Sequence, residues 1–274
     1  MKPGLYNMSF DEYKQVDAIN NSKLVQASKT LAHTLYEKDS NSAMIFGCDF
    51  HTYLLELNRF KKEYAIAPYG LKLTKKKGKA WLKENEKKTI LKTDDAIAMI
   101  KMAQSLYSGN YETARNLIEK SEKEVSIIWK HKTEGELCKS RQDLLHRKLG
   151  IIADVKTSTN ADPDKWFKTM LNAGIQPHFQ PAWYLEGCKA TPELKHIKIF
   201  LWIVFEVKKP FGISVIQATP APIGEDDMVL LGKEQIKIIL PKYIQAKQTG
   251  RFTGYPDKII YGKMPQYYMK GVEI

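Results

Sequence analysis

Cysteine is scarce in this chain. Among 274 residues only Cys48, Cys138 and Cys188 occur, an odd number set far apart. That excludes a disulfide framework and any zinc or iron–sulfur site built on clustered thiolates. Long apolar runs are missing as well. The longest, Ile197 to Val207, is interrupted by Lys198 and Glu206, so it reads as a strand and not as a membrane span. The opening Met1-Lys2-Pro3-Gly4-Leu5-Tyr6 lacks the apolar core of a signal peptide, and nothing in it directs export. Internal repeats and low-complexity segments are also lacking. A reducing cytoplasm with no membrane partner is the resulting expectation.

What is present is ordinary in bulk and biased in charge. A content of 43% hydrophobic and 27% charged residues suits a globular protein, and the length allows one large domain or two small ones. The formal net charge of +12 favours a polyanionic partner: nucleic acid, an anionic membrane surface or an acidic protein.

The first third reads as helical. Ser9-Phe10-Asp11-Glu12 is a capping box, Ser22 precedes an amphipathic run from Lys23 to Tyr36, and Ser42 opens an apolar helix from Ala43 to Leu57. Gly47 and His51 lie four apart on one face of that helix; on pattern alone, His51 is a hydrogen-bonded core histidine. Phe60 to Pro68 reads as a short strand. Leu71 to Lys79, with Lys75, Lys76, Lys77 and Lys79 around Gly78, is either a solvated loop or a sequence-blind contact to a DNA backbone. Trp81 beyond it is a core anchor or a base-stacking wedge. Helices are expected from Thr93 to Tyr107 and from Asn110 to Lys120.

A β-rich centre begins at Glu124-Val125-Ser126-Ile127-Ile128-Trp129, where Glu124 is either a solvated strand-edge residue or a third acid of a site. Ser140 to His146 and Ile151 to Thr157 follow as two strands joined by Arg147-Lys148-Leu149-Gly150. The two-residue period puts Asp154 and Lys156 on one face and Ala153 and Val155 on the other. If the strands pair as a hairpin, Asp143 approaches Asp154 across the ladder. Two carboxylates and an ammonium converging at one point suit a hard divalent cation and a water nucleophile, the chemistry of phosphodiester hydrolysis. Asp154 also stands in an apolar run, where an unpaired charge is expensive. A plain Asp154–Lys156 ion pair is not expected, because side chains two apart on a strand point the same way. Asp162 and Pro163 open a helix through Asn172, and a further helix from about Pro177 carries Gln180 and Tyr184 on one face. Ile197 to Val207 and Gly212 to Ala218 form closing strands. A last helix runs from about Asp226 to Gln248, before an aromatic tail with Tyr255, Tyr261, Tyr267 and Tyr268.

Gly47-x-x-x-His51 on a helix, Asp143, Asp154-x-Lys156 and Gln180-x-x-x-Tyr184, in that order, resemble the RecB-like branch of the PD-(D/E)XK nucleases. Within it the chain looks most like the RecE-type (exonuclease VIII-like) phage and prophage exonucleases. Ser22-Lys23-Leu24, Leu55-Glu56-Leu57 and Arg141-Gln142-Asp143 belong to the same likeness, which extends from about Tyr6 to Tyr255. The resemblance implies an α/β nuclease core, a central mixed β-sheet flanked by helices with a helical N-terminal region. Residues 1–274 would form one nuclease domain: a mainly helical part over 1–120, a β-rich catalytic core over 121–220, and a C-terminal helix and tail over 221–274.

It further implies a magnesium site, with manganese as a substitute, built from His51, Asp143, Asp154 and the backbone carbonyl of Val155. Lys156 would stand at the nucleophilic water, and Gln180 and Tyr184 would hold the DNA strand or support the site. Relatives of this type digest double-stranded DNA from 5′ ends, leave 3′ overhangs for a single-strand annealing recombinase, and form ring-shaped homo-oligomers, trimers or tetramers. A bacterial host cytoplasm and a phage or prophage origin go with that likeness. Arg141 and the lysines at 75, 76, 77 and 79 are the expected contacts to the phosphate backbone. An endonuclease, or an inactive DNA-binding protein on the same fold, is the alternative; a basic protein scaffold is a third.

Overall fold

In the computed structural model the described residues are 1–36, 39–218 and 227–262. The N-terminal part comprises β1 (Gly4–Tyr6), α1 (Phe10–Gln15), α2 (Asn21–Ala27), α3 (Ser42–Leu55), α4 (Leu57–Glu63) and β2 (Tyr64–Ile66). It continues with α5 (Lys76–Glu84), β3 (Thr89–Leu91), α6 (Thr93–Ser108) and α7 (Glu112–Lys120). Then come β4 (Glu122–Lys130), β5 (Leu137–His146), β6 (Ile151–Ser158), α8 (Pro163–Asn172), α9 (Phe179–Ala190), β7 (Ile199–Glu206), β8 (Ile213–Gln217) and α10 (Met228–Thr249).

Short polar side chains start five of these helices. Ser9 makes the capping box of α1. Asn20, Asn41, Asp162 and Asp227 each accept a backbone N–H from the first turn of α2, α3, α8 and α10.

Six strands lie in the order β1-β4-β5-β6-β7-β8, and within this sheet only β6 and β7 run parallel. A parallel pair needs a crossover, and α8 with α9 supplies it. The sheet is mixed, and an apolar layer covers each face. One layer joins Leu24 of α2, Trp166 of α8, Trp183 of α9 and Ile244 of α10. The other joins Phe50 of α3, Met99 of α6 and Leu117 of α7. Strand β7 gives Phe200, Trp202 and Val204 to the first layer and Leu201, Ile203 and Phe205 to the second. Burial on both faces is why its sequence reads as one unbroken apolar run. Helix α10 reaches α9 through Gly232, where a Cβ would lie 2.2 Å from the His178 carbonyl oxygen and 2.7 Å from Ala182 Cβ.

Several local expectations need correcting. Phe60 to Glu63 is helical, and only Tyr64–Ile66 is a strand, paired in parallel with β3. Arg59 reaches both Glu56 and Glu63 at 2.9 Å, and Phe60 packs between Tyr53 and Tyr64; both contacts favour a helix here. Lys76, Lys77 and Lys79 lie on α5, with Lys75 as its N-cap. Gly78 makes that helix possible, because a Cβ there would sit 2.3 Å from the Lys72 carbonyl oxygen. Helix α2 ends at Ala27, and Leu31–Leu35 is a separate 3-10 turn. Tyr111, not Asn110, is the N-cap of α7, and Thr93 lies inside α6 with its hydroxyl donated to the Ala67 carbonyl. Asp226, Tyr267 and Tyr268 lie outside the described residues. No helix among the described residues is long and apolar enough to cross a membrane.

Candidate metal centre

The β5–β6 hairpin turns through a 3-10 step, Arg147–Leu149, closed by Gly150 in the left-handed region at φ 68°. Its ladder has three pairs, His146–Ile151, Leu145–Ile152 and Leu144–Ala153, and then stops. The next residue on each strand is a carboxylate, Asp143 on one and Asp154 on the other. There Asp143 Oδ2 accepts the Val155 backbone N–H at 2.8 Å, so the carboxylate takes up a donor at the point where the strands part. On the other side of β5, the pairs Lys123–Leu144 and Val125–Gln142 set Glu124 opposite Asp143. Three acids thus stand level across three adjacent strands: Glu124, Asp143 and Asp154. Like charges directly opposite each other on a sheet repel, so such a row requires cations.

Glu124 is far from the solvated strand edge that its sequence allows. It is 8% exposed, in the interior of β4, with φ 58°. A left-handed glutamate costs about 1–2 kcal/mol, and such strain persists only where surrounding contacts enforce it.

Histidine 51 supplies one cation from α3. Its Nε2 lies 3.0 Å from Asp143 Oδ2 and 3.3 Å from Glu124 Oε1. Burial opposes its charged form, but Asp143, Glu124 and Asp154 outweigh that and push it up to about 9. The helix can sit this close because position 47 has no side chain: a Cβ there would already be 3.1 Å from Thr157 Oγ1 on β6. The core-histidine reading of His51 therefore gives way to one in which it faces carboxylates.

Lys156 supplies the second cation. Its ammonium meets Asp154 Oδ2 directly, which corrects the expectation that the two would not pair. Pointing the same way is what allows it, since the long lysine chain folds back over its neighbour. Burial alone would discharge the lysine, but Asp154 and Asp143 raise its pKa, so it stays an ammonium. Asp154 is pushed up to about 6, first by burial and then by Asp143. Asp143 is pulled the other way. Burial favours its protonated form, yet His51, Lys156 and the Val155 N–H hold it below the usual carboxylate range. Glu124 is raised, chiefly by burial, with His51 and Arg141 opposing.

Helix α9 completes the surroundings. Gln180 Nε2 donates to Asp154 Oδ1 at 2.5 Å, while its Oε1 accepts from Trp202 Nε1 at 3.3 Å. The amide thus fixes Asp154 from behind. One turn on, Tyr184 is half-buried with its ring edge-on to Phe200, and burial drives its hydroxyl well above the phenol range.

Arg141 is a correction. Expected on DNA, it is 7% exposed and committed within the protein: Nε to Glu124 Oε2 at 2.5 Å, and Nη1 to the Met8 carbonyl at 2.6 Å and Ser126 Oγ at 3.1 Å. A guanidinium with three internal acceptors has little left for a phosphate. Sequence reasoning missed its neighbour Lys139, whose buried ammonium binds the carbonyls of Tyr13, Lys14 and Val16 at 2.8, 3.3 and 2.7 Å, at the C-terminal end of α1. The signal was available. Lys139, Arg141 and Asp143 alternate along one face of a strand that must be buried, so each needs an internal partner. Trp202, the residue behind Gln180, was hidden in the apolar run of β7. Lys75, Lys76, Lys77 and Lys79 are all exposed around the first turn of α5.

The donor set suits a hard divalent cation. Among the described residues, His51, Glu124 and Asp143 form a group whose ligand atoms lie within 4.8 Å of one another, and Asp154 borders it. Two buried carboxylate oxygens face this group: among the described residues Glu124 Oε1 accepts no hydrogen bond and has His51 as its ionic neighbour, and Asp154 Oδ2 meets the Lys156 ammonium. Oxygen acceptors left this way, beside an imidazole, fit magnesium or manganese better than a soft metal.

A mixed sheet between helices, with an acid and an Asp-x-Lys where a hairpin parts, is the architecture of the PD-(D/E)XK nuclease superfamily. The chain belongs to the family described as "PDDEXK-like domain of unknown function (DUF3799)", whose model matches residues 9–265. Among solved structures it is similar to a Eubacterium rectale protein named "Putative exonuclease". The two share 12% identity and a TM-score of 0.63, over 97% of this chain and 99% of that one. At that identity the likeness is one of fold. Comparison with curated proteins finds no match.

Proposed function

We propose that this protein is a divalent-metal-dependent deoxyribonuclease that digests double-stranded DNA from its ends, 5′ to 3′, in the manner of the RecE-type exonucleases it resembles. The observation that carries the reading is the meeting of Asp143, Asp154 and the Lys156 ammonium at the end of the β5–β6 ladder, with Asp154 Oδ2 buried against that ammonium. Asp143, Asp154, the Val155 carbonyl and His51 would hold magnesium, or manganese in its place. When bound, the cation neutralises charge developing on the scissile phosphate and lowers the pKa of the attacking water.

The chain's own groups do the rest. Lys156 remains an ammonium, so it orients the nucleophile and donates a hydrogen bond rather than removing a proton. Gln180, seated on Trp202, keeps Asp154 in one rotamer, and Tyr184 backs the same face of α9. The exposed lysines at 75, 76, 77 and 79 contact the DNA backbone without reading its sequence. The net charge of +12 supports a polyanionic substrate.

Linear duplexes labelled at the 5′ or the 3′ end, together with closed circles, test this with magnesium and with chelator. Magnesium-dependent release of the 5′ label from linear DNA, with circles spared, is the expected result. Nicked circles would make the enzyme an endonuclease, and no digestion with any divalent metal would overturn the reading. A ring-shaped homo-oligomer and a single-strand annealing recombinase as partner belong to the same proposal, and light scattering on the purified protein checks the first.

A further inference from the structure

The ligand set that the family resemblance implies leaves one acid unused. Glu124 stands opposite Asp143 and is more than nine-tenths buried, and one of its oxygens accepts no hydrogen bond. Its two oxygens are treated differently. Oε2 is bound by Arg141 Nε at 2.5 Å, and Arg141 is itself anchored to the Met8 carbonyl and Ser126 Oγ. Oε1 is turned the other way, into the group formed with Asp143 and His51, where its one ionic neighbour among the described residues is His51 Nε2 at 3.3 Å. A glutamate serving merely as the counter-ion of Arg141 would use both oxygens on the guanidinium fork, as Glu122 does with Arg147 Nε and Nη2 nearby. Nor would it need a left-handed backbone in mid-strand, at φ 58°.

We propose that Glu124 is a further ligand of the catalytic cation, monodentate through Oε1, so that the centre is a row of three carboxylates and one histidine. The arrangement explains the left-handed backbone of β4 at this residue, which goes with a carboxylate that faces Asp143 and His51. Arg141 fixes the second oxygen and thereby the direction of the first. The inference rests on the metal-centre reading above and adds a fourth side chain to it.

Manganese titration of the full-length protein, followed calorimetrically and by the loss of the free-ion electron paramagnetic resonance signal, tests it without reference to activity. Glu124→Gln keeps the size and an acceptor for Arg141 but removes the ligand charge. Its Mn2+ Kd should rise at least about tenfold, a loss no smaller than that usual for outer-shell partners. In chelator it should still melt cooperatively, with the far-UV dichroism of the parent. A Kd within twofold of the parent would overturn the assignment and leave Glu124 as a counter-ion of Arg141. If the variant does not fold, crystals of the unaltered protein soaked in Mn2+ decide the matter: the anomalous peak lies at bonding distance from Glu124 Oε1, or the proposal is wrong. Failure of the unaltered protein to bind Mn2+ at all would instead remove the metal-dependent nuclease reading itself.

Discussion

Removing the charge of Asp154 should make the metal-free protein more stable while destroying its chemistry. Asp154 is 4% exposed, and its pKa is pushed from 3.8 to about 6 even with Lys156 against it. A carboxylate raised in this way binds its proton more tightly folded than unfolded. Its contribution is therefore fully present below pH 3.8 and is lost as pH rises through about 6. Each tenfold change in that proton equilibrium is about 1.4 kcal/mol, so at neutral pH the ionised carboxylate costs the metal-free fold up to about 3 kcal/mol.

Asp154→Asn removes the charge and keeps the oxygen that Gln180 donates to. The Lys156 ammonium loses its nearest counter-charge but keeps Asp143, and the new amide N–H faces it; both give part of the gain back, leaving about 1–2 kcal/mol. For a chain of this size that is roughly 2–8 °C in melting temperature. Differential scanning calorimetry in chelator at pH 7.5 should show the variant melting higher. With magnesium the order should reverse, because a ligand at a hundred times its Kd adds about 2.7 kcal/mol to the parent and little to the variant. If Asp154→Asn melts at or below the parent in chelator, Asp154 is not strained by its surroundings, and the case for a cation there loses its main energetic support.

Four further outcomes are expected. Lys156→Gln or Asp154→Ala should reduce digestion of linear duplex by roughly a thousandfold or more, with far-UV dichroism and DNA retention on a filter little changed. His51, pushed up to about 9, stabilises the metal-free fold by up to about 3 kcal/mol. That share is present in full below about pH 6.5 and lost as pH rises through about 9, so His51→Gln should flatten the alkaline limb of a stability–pH curve. Gly232→Ala forces a Cβ to within 2.2 Å of the His178 carbonyl oxygen, and urea unfolding should show a loss of about 1–3 kcal/mol or more. Replacing Lys76, Lys77 and Lys79 by Gln should weaken DNA binding equally for unrelated sequences and reduce the slope of log K against log salt by up to about 3.

The parts of this centre set by short-range geometry were legible in the chain. The tight link between His146 and Ile151 makes a hairpin, and counting back along both strands brings Asp143 level with Asp154. The two-residue period alone puts Lys156 beside Asp154. Asp162-Pro163 and the Ser9 capping box fix two helix starts, because caps act over three residues. What was not legible depends on contacts distant in sequence. Glu124 looks like a strand-edge acid until β5 is laid beside it, and its left-handed backbone is enforced by Arg141 and His51, 17 and 73 positions away. Arg141 looks like a phosphate ligand because basic residues usually face water; its partner at Met8 comes from the other end of the chain. The lysine stretch looked like a loop because Gly78 breaks helices in general, whereas here the glycine admits the Lys72 carbonyl against the helix.

The fastening of residues 8–16 to β5 reaches beyond architecture. Lys139 grips the C-terminal end of α1, and Arg141 shares its guanidinium between the Met8 carbonyl and Glu124. A recombinant version beginning at Phe10 would leave that guanidinium one acceptor short, held by Glu124 and Ser126. A bulky fusion close to Met8 would tug on the same linkage. A preparation that lacks residues 8–16 is therefore a poor guide to how tightly the proposed centre would hold a cation.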